Sequence, residues 1–459
     1  MKKFLLLFGL LFILQIELSF AQTVTTLHNF NNTDGAFARG NQLISDGNYF
    51  YGMTTFGGSH NEGTIFKIKT DGTAFEKLHD FNGENGADSY SSLTLIGAQL
   101  FGTTMHGGSI NRGVLFRINT DGANYTKMID FTGGNGDLPH STLAFDGSFL
   151  YGSTYSGGYA GGGCIFKVRP DGTDFTIIHN FNGSNTINGS QPNVDFLLNT
   201  ESGYLFGVTF LGGEHNKGVI YKIKMDGSDF VKLHDFDGLN GDYSSSLMLL
   251  NGYLYAATLR GGANEKGIIY KIKTDGTDFT KLHDFEQLTG AECWSRLDFK
   301  NDFLYGTAIS GGAGGGGLIF KIKTDGSEYS TVYNFNNESG ISPWGGMYFD
   351  GTDFYGINEG GGVHGYGTIF KFDPDGILAV NENNFSNELN LYPNPAKDKL
   401  NISLKNSEDA EILIYDMAGK LVMKKTVKGN STLKLNISHL KKGVYLVKSA
   451  SKSVKFIKE

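Results

Sequence analysis

Residues 151–181, YGSTYSGGYAGGGCIFKVRPDGTDFTIIHNF, decide the fold because they are one copy of a pattern that fills most of the chain. The frame is Tyr-Gly, a few small polar residues, Gly-Gly, a variable loop, Gly, an apolar-aromatic-Lys run, Asp-Gly and an ending in Phe. The aromatic before Lys or Arg recurs at Phe66, Phe116, Phe166, Tyr221, Tyr270, Phe320 and Phe370, at steps of 50, 50, 55, 49, 50 and 50 residues. A near-constant step of this length marks a repeat architecture.

Each copy reads as four short strands, here named a to d: Leu93–Ile96, Gln99–Met105, Val114–Asn119 and Tyr125–Phe131 in the second. Alternating β-branched and aromatic residues support the strands, and turn residues separate them. Asp-Gly stands between c and d in every copy, from 71–72 to 375–376. We read it as a tight hairpin in which Gly, and tolerably Asp, accept positive φ. The ligand spacing of an EF-hand is missing.

Seven four-stranded units of about 50 residues predict an all-β fold with a seven-bladed β-propeller. The d-type ending already occurs at Leu27-His28-Asn29-Phe30, before any complete unit, whereas the seventh unit stops after c at Lys371-Phe372. An open stack would leave an unpaired strand at each end. Closure by the N-terminal strand Thr23–Phe30 removes both.

The chain has 66 glycines in 459 residues, about twice the usual share, and only seven prolines. Net charge is −8. Residues 386–459 hold 14 lysines and seven acidic residues, so the remainder carries −15. An acidic body excludes nucleic acid as its expected partner. Cys164 and Cys293 lie in distant units, and no disulfide is expected between them. Lys2 and Lys3, the apolar run Phe4–Ile16 and Ser19-Phe20-Ala21 read as a signal peptide over 1–21. The run is short for a membrane span, so the mature chain is expected to lack a transmembrane anchor.

The stretches FYGMTTFGGSHNEGTIFKIKTDGTAF (50–75) and FLYGTAISGGAGGGGLIFKIKTDGSEY (303–329) resemble a family of secreted bacterial repeats with a Tyr-Gly-Thr-Thr, Gly-Gly, Phe-Lys, Asp-Gly signature. The resemblance covers about 23–376. It implies a propeller and no particular activity. Tyr255-Ala256 departs from Tyr-Gly, and the fourth unit has an insertion near Glu201-Ser202. Kelch repeats share the Gly-Gly, but their later Tyr and Trp spacing is missing.

Residues 377–385 read as a linker, and the alternating strands over 386–459 as a small β-sandwich. Tyr392-Pro393-Asn394-Pro395, Asp416 with Gly419, Gly443 with Tyr445, and Lys455 with Lys458 resemble the type A C-terminal sorting domain of the type IX secretion system of Bacteroidetes. The resemblance implies the type IX machinery as partner, a secreted or outer-surface location, and removal of the domain.

No nucleophile–base motif, metal-ligand cluster or phosphate loop is visible, so no catalytic residue, metal or cofactor is assigned. The glycine runs at 157–163 and 311–317 lack a following helix and Lys-Ser/Thr, and we read them as flexible b–c loops. The Lys or Arg of each strand c is expected to tie neighbouring units or cover apolar surface. The recurrent His at 28, 79, 179, 234 and 283 is read as frame. Positions that differ between copies are free to specialise. Just before strand a stand Arg39, Tyr90, His140, Asn193, Trp294 and Trp344, with Tyr243 in the shorter fifth unit, and these should ring the channel mouth. Flat aromatics with amide, imidazole and guanidinium groups suit a glycan or protein ligand, unless they only plug the funnel. The expected function is a non-catalytic binding or adhesion module. The alternative is a glycoside hydrolase or lyase using Glu84, Asp88, Asp137, Asp242 or Glu292.

Overall fold

The computed structural model describes residues 23–40, 42–183, 187–192, 195–375, 389–404, 410–416, 420–428, 431–449 and 452–459. The expected signal peptide (1–21) and linker (377–385), together with Asn193 and Gly419, lie outside the described residues. The chain divides into two compact units, Gln22–Asp375 and a second within Gly376–Glu459. All regular structure among the described residues is β-strand, and no helix there is long and apolar enough to cross a membrane.

Among the described residues the first unit contains seven small antiparallel sheets. Six run a-b-c-d in chain order, as in Ile44–Ser45, Tyr49–Thr54, Thr64–Lys69 and Glu76–Asp80. The other sheet takes Tyr348–Phe349, Phe354–Asn358 and Thr368–Asp373 from the end of the unit and Thr23–Asn29 from its beginning. The register runs from Thr23 opposite Asp373 to Asn29 opposite Thr368, with a slip between Thr26 and His28. The leading strand thus covers the edge that strand c would otherwise expose.

Each sheet shares a buried cluster with the next. Phe50 and Phe30 meet Tyr355 between the closing sheet and the first, and Tyr305 meets Phe354 and Phe370 between the sixth and the closing sheet. The Tyr-Gly of strand b has a steric cause. A Cβ on Gly52 would sit 2.5 Å from Cζ of Phe66, its cross-strand partner. Gly306 and Gly356 face Phe320 and Phe370 in the same way. Ala256 instead faces Tyr270, whose hydroxyl reaches Ser244 Oγ at 2.7 Å.

The recurrent histidines join one sheet to the next. His28, His79, His179, His234 and His283 stack on Phe75, Tyr125, Phe230, Phe279 and Tyr329, with centroids 3.9, 4.0, 4.6, 4.0 and 3.7 Å apart. Burial pushes His79 and His283 down to about 4, so these rings stay neutral and stack as aromatics. Some strand-c cations also bridge, whereas Lys67 and Lys371 pair with Glu76 and Asp353 of their own sheets. Lys222 Nζ donates to Thr274 O at 3.3 Å and Lys271 Nζ to Thr324 O at 3.1 Å, while their ammoniums lie over Tyr204 and Tyr253.

Two local expectations need correction. In the c–d turn Gly72 has φ 84°, but Asp71 does not share the positive φ. Its carboxylate instead accepts the Thr73 N–H at 2.8 Å and the Thr73 hydroxyl at 2.6 Å, an Asx turn repeated at Asp171, Asp226, Asp275 and Asp325. The glycines near 161 do not form a free loop. Strand Gly161–Val168 pairs with Thr176–Asn182, and a Cβ on Gly162 would lie 1.8 Å from Asn182 O. Close backbone approach, not flexibility, selects glycine there.

In the second unit a three-stranded sheet (Leu389–Tyr392, Lys399–Leu404, Thr432–Asn436) and a four-stranded sheet (Leu421–Val427, Ala410–Asp416, Gly443–Ser449, Lys452–Lys458) share one core. Leu400, Ile402, Ile412, Ile414, Tyr445, Val447 and Phe456 fill it.

Candidate functional site at the mouth of the repeat unit

The d–a connection carries the candidate residues. In each sheet a non-glycine residue takes φ between 49° and 61° at one equivalent place: Phe37, Asp88, Leu138, Gln191, Tyr243, Glu292 and Ser342. This left-handed step is uncommon outside glycine. It turns the chain before strand a. Arg39, Tyr90, His140, Trp294 and Trp344 all stand two residues later.

Tyr243 does not share that register. Pro139 pairs with Thr154, and Ser141 Oγ then accepts the Ser153 N–H. In the fifth unit Ser244 pairs with Thr258, and the very next residue, Ser245, accepts the Ala257 N–H. The place of His140 has been deleted, which accounts for the 49-residue step. Tyr243 therefore corresponds to Leu138, yet its ring still faces the mouth.

Tyr90, His140, Tyr243, Trp294 and Trp344 line one cavity of about 490 Å³. Gly40, Met105, His106, Phe210, Leu259 and Arg260 complete it. Its aromatics pack on one another but leave the space open. Phe210 stacks on Trp294 at 5.2 Å and 21°, meets Tyr243 edge-on at 5.0 Å, and Tyr155 joins it to His140 at 5.8 and 5.5 Å. Burial pushes His140 down to about 4, so its ring is uncharged at neutral pH.

Arg39 is not in this lining. Its Nε donates to Glu359 Oε1 at 2.6 Å and its Nη1 to the Tyr90 hydroxyl at 3.4 Å. It borders a neighbouring pocket of about 340 Å³ with Phe37, Phe56 and Asn61.

The carboxylates of the mouth are engaged. Lys217 Nζ holds Asp242 at 2.7 Å, Arg112 pairs with Asp137, His106 Nδ1 lies 3.0 Å from Asp88, and Ser310 donates to Glu292 at 3.1 Å. Burial pushes Asp242 up, against the pull of Lys217. No group of three or more His, Cys, Asp or Glu arranged for a metal exists among the described residues.

The repeat model for a Gloeobacter/Verrucomicrobia repeat matches residues 8–158, 95–251, 142–297 and 251–394. The chain belongs to the Gloeobacter/Verrucomicrobia repeat family. Residues 390–459 match the secretion system C-terminal sorting domain. The chain is accordingly a type IX secretion substrate, and its location is secreted or at the outer cell surface. No curated protein matches the sequence. Among solved structures, an oligogalacturonate lyase in complex with manganese is 12% identical, covers 78% of this chain and 94% of its own, and has a TM-score of 0.50. TolB from Acinetobacter baumannii is 11% identical over 62% and 63% of the two chains, at a TM-score of 0.39. The likeness to the lyase is one of propeller-like fold alone.

Within this Gloeobacter/Verrucomicrobia repeat the sequence reading missed Met105, His106, Phe210, Leu259 and Arg260. They occupy the two places between the small residues after Tyr-Gly and the Gly-Gly, as in Thr209-Phe210-Leu211-Gly212. Variability at those places was the available signal. The same places supply Phe56 and Glu359 beside Arg39.

The sorting residues hold the end of the chain. Asn394 Oδ1 accepts the Ile457 N–H at 2.9 Å, Ala396 N donates to Ile457 O at 2.7 Å, and Glu459 N donates to Ala396 O at 3.0 Å. Asp416 Oδ1 caps Lys420 N at 2.9 Å. Tyr445 stacks on Phe456 and donates its hydroxyl to Lys441 O. Lys455 lies in the final strand and Lys458 is 6% exposed.

Proposed function

We propose that residues 22–376 form a seven-bladed β-propeller closed by its N-terminal strand, joined by the linker 377–385 to the sorting domain at 386–459. Export begins with the signal peptide 1–21. The propeller is a non-catalytic binding module whose mouth takes a glycan. The observation that carries this reading is the 490 Å³ cavity walled by Trp294, Trp344, Tyr90, Tyr243 and Phe210. Aromatic faces pack against the C–H faces of sugars, and scattered polar groups orient the hydroxyls. Glycoside cleavage needs a pair of carboxylates flanking the bond. Of the acids at the mouth, Asp88, Asp137, Asp242 and Glu292 face a histidine, arginine, lysine or hydroxyl instead, and none of them lines the cavity. That supports binding over hydrolysis.

A glycan array probed with the mature chain tests the reading, alongside reducing-end release from a polysaccharide panel. Trp294→Ala combined with Trp344→Ala should weaken the best array ligand at least about tenfold. Unchanged affinity refutes the mouth as the site, and sugar release refutes the non-catalytic reading. A protein ligand is the second reading. Ile110, Tyr159, Leu239, Leu288 and Val363 are 54–95% exposed, and all stand on b–c or d–a connections around the mouth.

A further inference from the structure

Two residues of the cavity lining, Arg260 and Trp344, carry groups that can only donate hydrogen bonds. Arg260 lines the cavity with its guanidinium 5.5 Å from the Tyr243 ring centroid. Its cross-strand partner Asp242 attracts it electrostatically but is ion-paired at one oxygen with Lys217 Nζ at 2.7 Å, and no carboxylate oxygen among the described residues lies within 4 Å of the Arg260 guanidinium. The Tyr90 hydroxyl accepts from Arg39, so its own proton is free to donate. Trp344 Nε1, a donor only, has no hydrogen-bond partner within the chain, and the neutral His140 ring, unpartnered at Nδ1, carries one donor and one acceptor. Among the described residues no carboxylate lines the cavity to accept from a ligand. A ligand that satisfies this wall must bring acceptors, and Arg260 calls for an anion.

A second, narrower space of about 30 Å³ adjoins the cavity through Tyr90, His140, Trp294 and Trp344. The Gln42 N–H donates to Ser92 Oγ at 2.8 Å, the Ser92 N–H to Thr142 Oγ1 at 3.0 Å, and the Thr142 N–H to Asp195 Oδ1 at 2.7 Å. These bonds tie the first four sheets together beside the narrow space. A space of about 30 Å³ holds about one water, so a sugar chain does not thread it and one that reaches into the cavity enters by an end.

We propose that the mouth recognises a carboxylate-bearing sugar at the terminus of an acidic glycan, with Arg260 taking the carboxylate and the aromatic wall taking the ring. The inference rests on the glycan reading above.

The test uses the mature chain and pairs of oligosaccharides that differ only in a terminal uronic acid versus the corresponding hexose. The uronate-ended member should bind at least about tenfold more tightly, as a charge-assisted contact implies. Raising salt should narrow the gap. Arg260→Gln should collapse the affinity ratio toward one, and Arg260→Lys should recover part of it. Equal binding of the two members, or a ratio that survives Arg260→Gln in a variant with unchanged Tm, overturns the acidic-terminus proposal and leaves the glycan reading standing. Internal uronates binding as well as terminal ones also overturns it. If neither member binds and the array is blank, the glycan reading falls and takes this proposal with it.

Discussion

A disulfide between Thr25 and Lys371 tests whether the N-terminal strand completes the closing sheet. The two residues are cross-strand partners in antiparallel register. Such partners have Cα atoms about 4.5–5.5 Å apart, inside the range a disulfide spans. Thr25 is exposed and makes no buried contact, while Lys371 loses one ion pair to Asp353. The native cysteines Cys164 and Cys293 are buried, and burial pushes their thiols up to about 11 and about 12, so they should compete poorly for oxidation. The new bond closes a loop of roughly 350 residues, for which chain entropy sets an upper limit of about 6 kcal/mol. Disulfides typically deliver about 2–4 kcal/mol. For a unit of this size that is a Tm increase of about 3–5 °C. The assay is calorimetry of Thr25→Cys/Lys371→Cys, oxidised and then reduced, with non-reducing electrophoresis to show that the bond is intramolecular. A thiol pair that fails to oxidise, or that links only separate molecules, refutes the pairing of chain start and unit end. So does an oxidised form that melts no higher than the reduced one.

Other outcomes follow from the same contacts. His79 and His283 are held near 4 by burial against an ordinary value of 6.5, so their contribution is present above pH 6.5 and is lost as pH falls toward 4. Each adds a slope of up to about 1.4 kcal/mol per pH unit in that window, and His79→Phe combined with His283→Phe should flatten a urea-midpoint profile there; an unchanged profile counts against the neutral stacked state. Asp298 has the opposite sign. Burial raises it to about 6, so stability is lost as pH rises from about 4 through 6, and Asp298→Asn should gain about 1–3 kcal/mol at pH 8 but little at pH 4; equal effects at both pH values would show that the carboxylate charge is not the cause. Gly306→Ala would place a Cβ 2.5 Å from Phe320 Cζ and 2.8 Å from Leu297 Cδ2, and should cost about 1–3 kcal/mol by denaturant titration; a neutral result would show that the ring can move aside.

Much was legible in the chain alone because a repeat turns local chemistry into a pattern. Alternating apolar residues and Asp-Gly turns mark strands wherever they occur, and seven copies make the reading redundant. Counting strand types also anticipated the partnership of Thr23–Asn29 with Thr368–Asp373, since a d strand without its unit and a unit without its d strand need each other. The sorting domain was legible for a different reason, its resemblance to a known domain, and two of the residues that carry it, Asn394 and Tyr445, hold the terminal strand Lys452–Lys458. What the sequence did not reveal are the relations between sheets. Nothing local says that His79 stacks on Tyr125 of the next sheet, or that Glu359 draws Arg39 out of the cavity from 320 residues away. Nor does spacing say that Phe210 and Arg260, on strand b, share a wall with Trp294. Tyr243 was placed by counting back along the chain. Only the cross-strand register shows that one residue is missing and that a different backbone position delivers its ring. Strand periodicity is a property of neighbouring residues. A cavity is a property of side chains brought from different sheets, and its shape exists only once those sheets have packed.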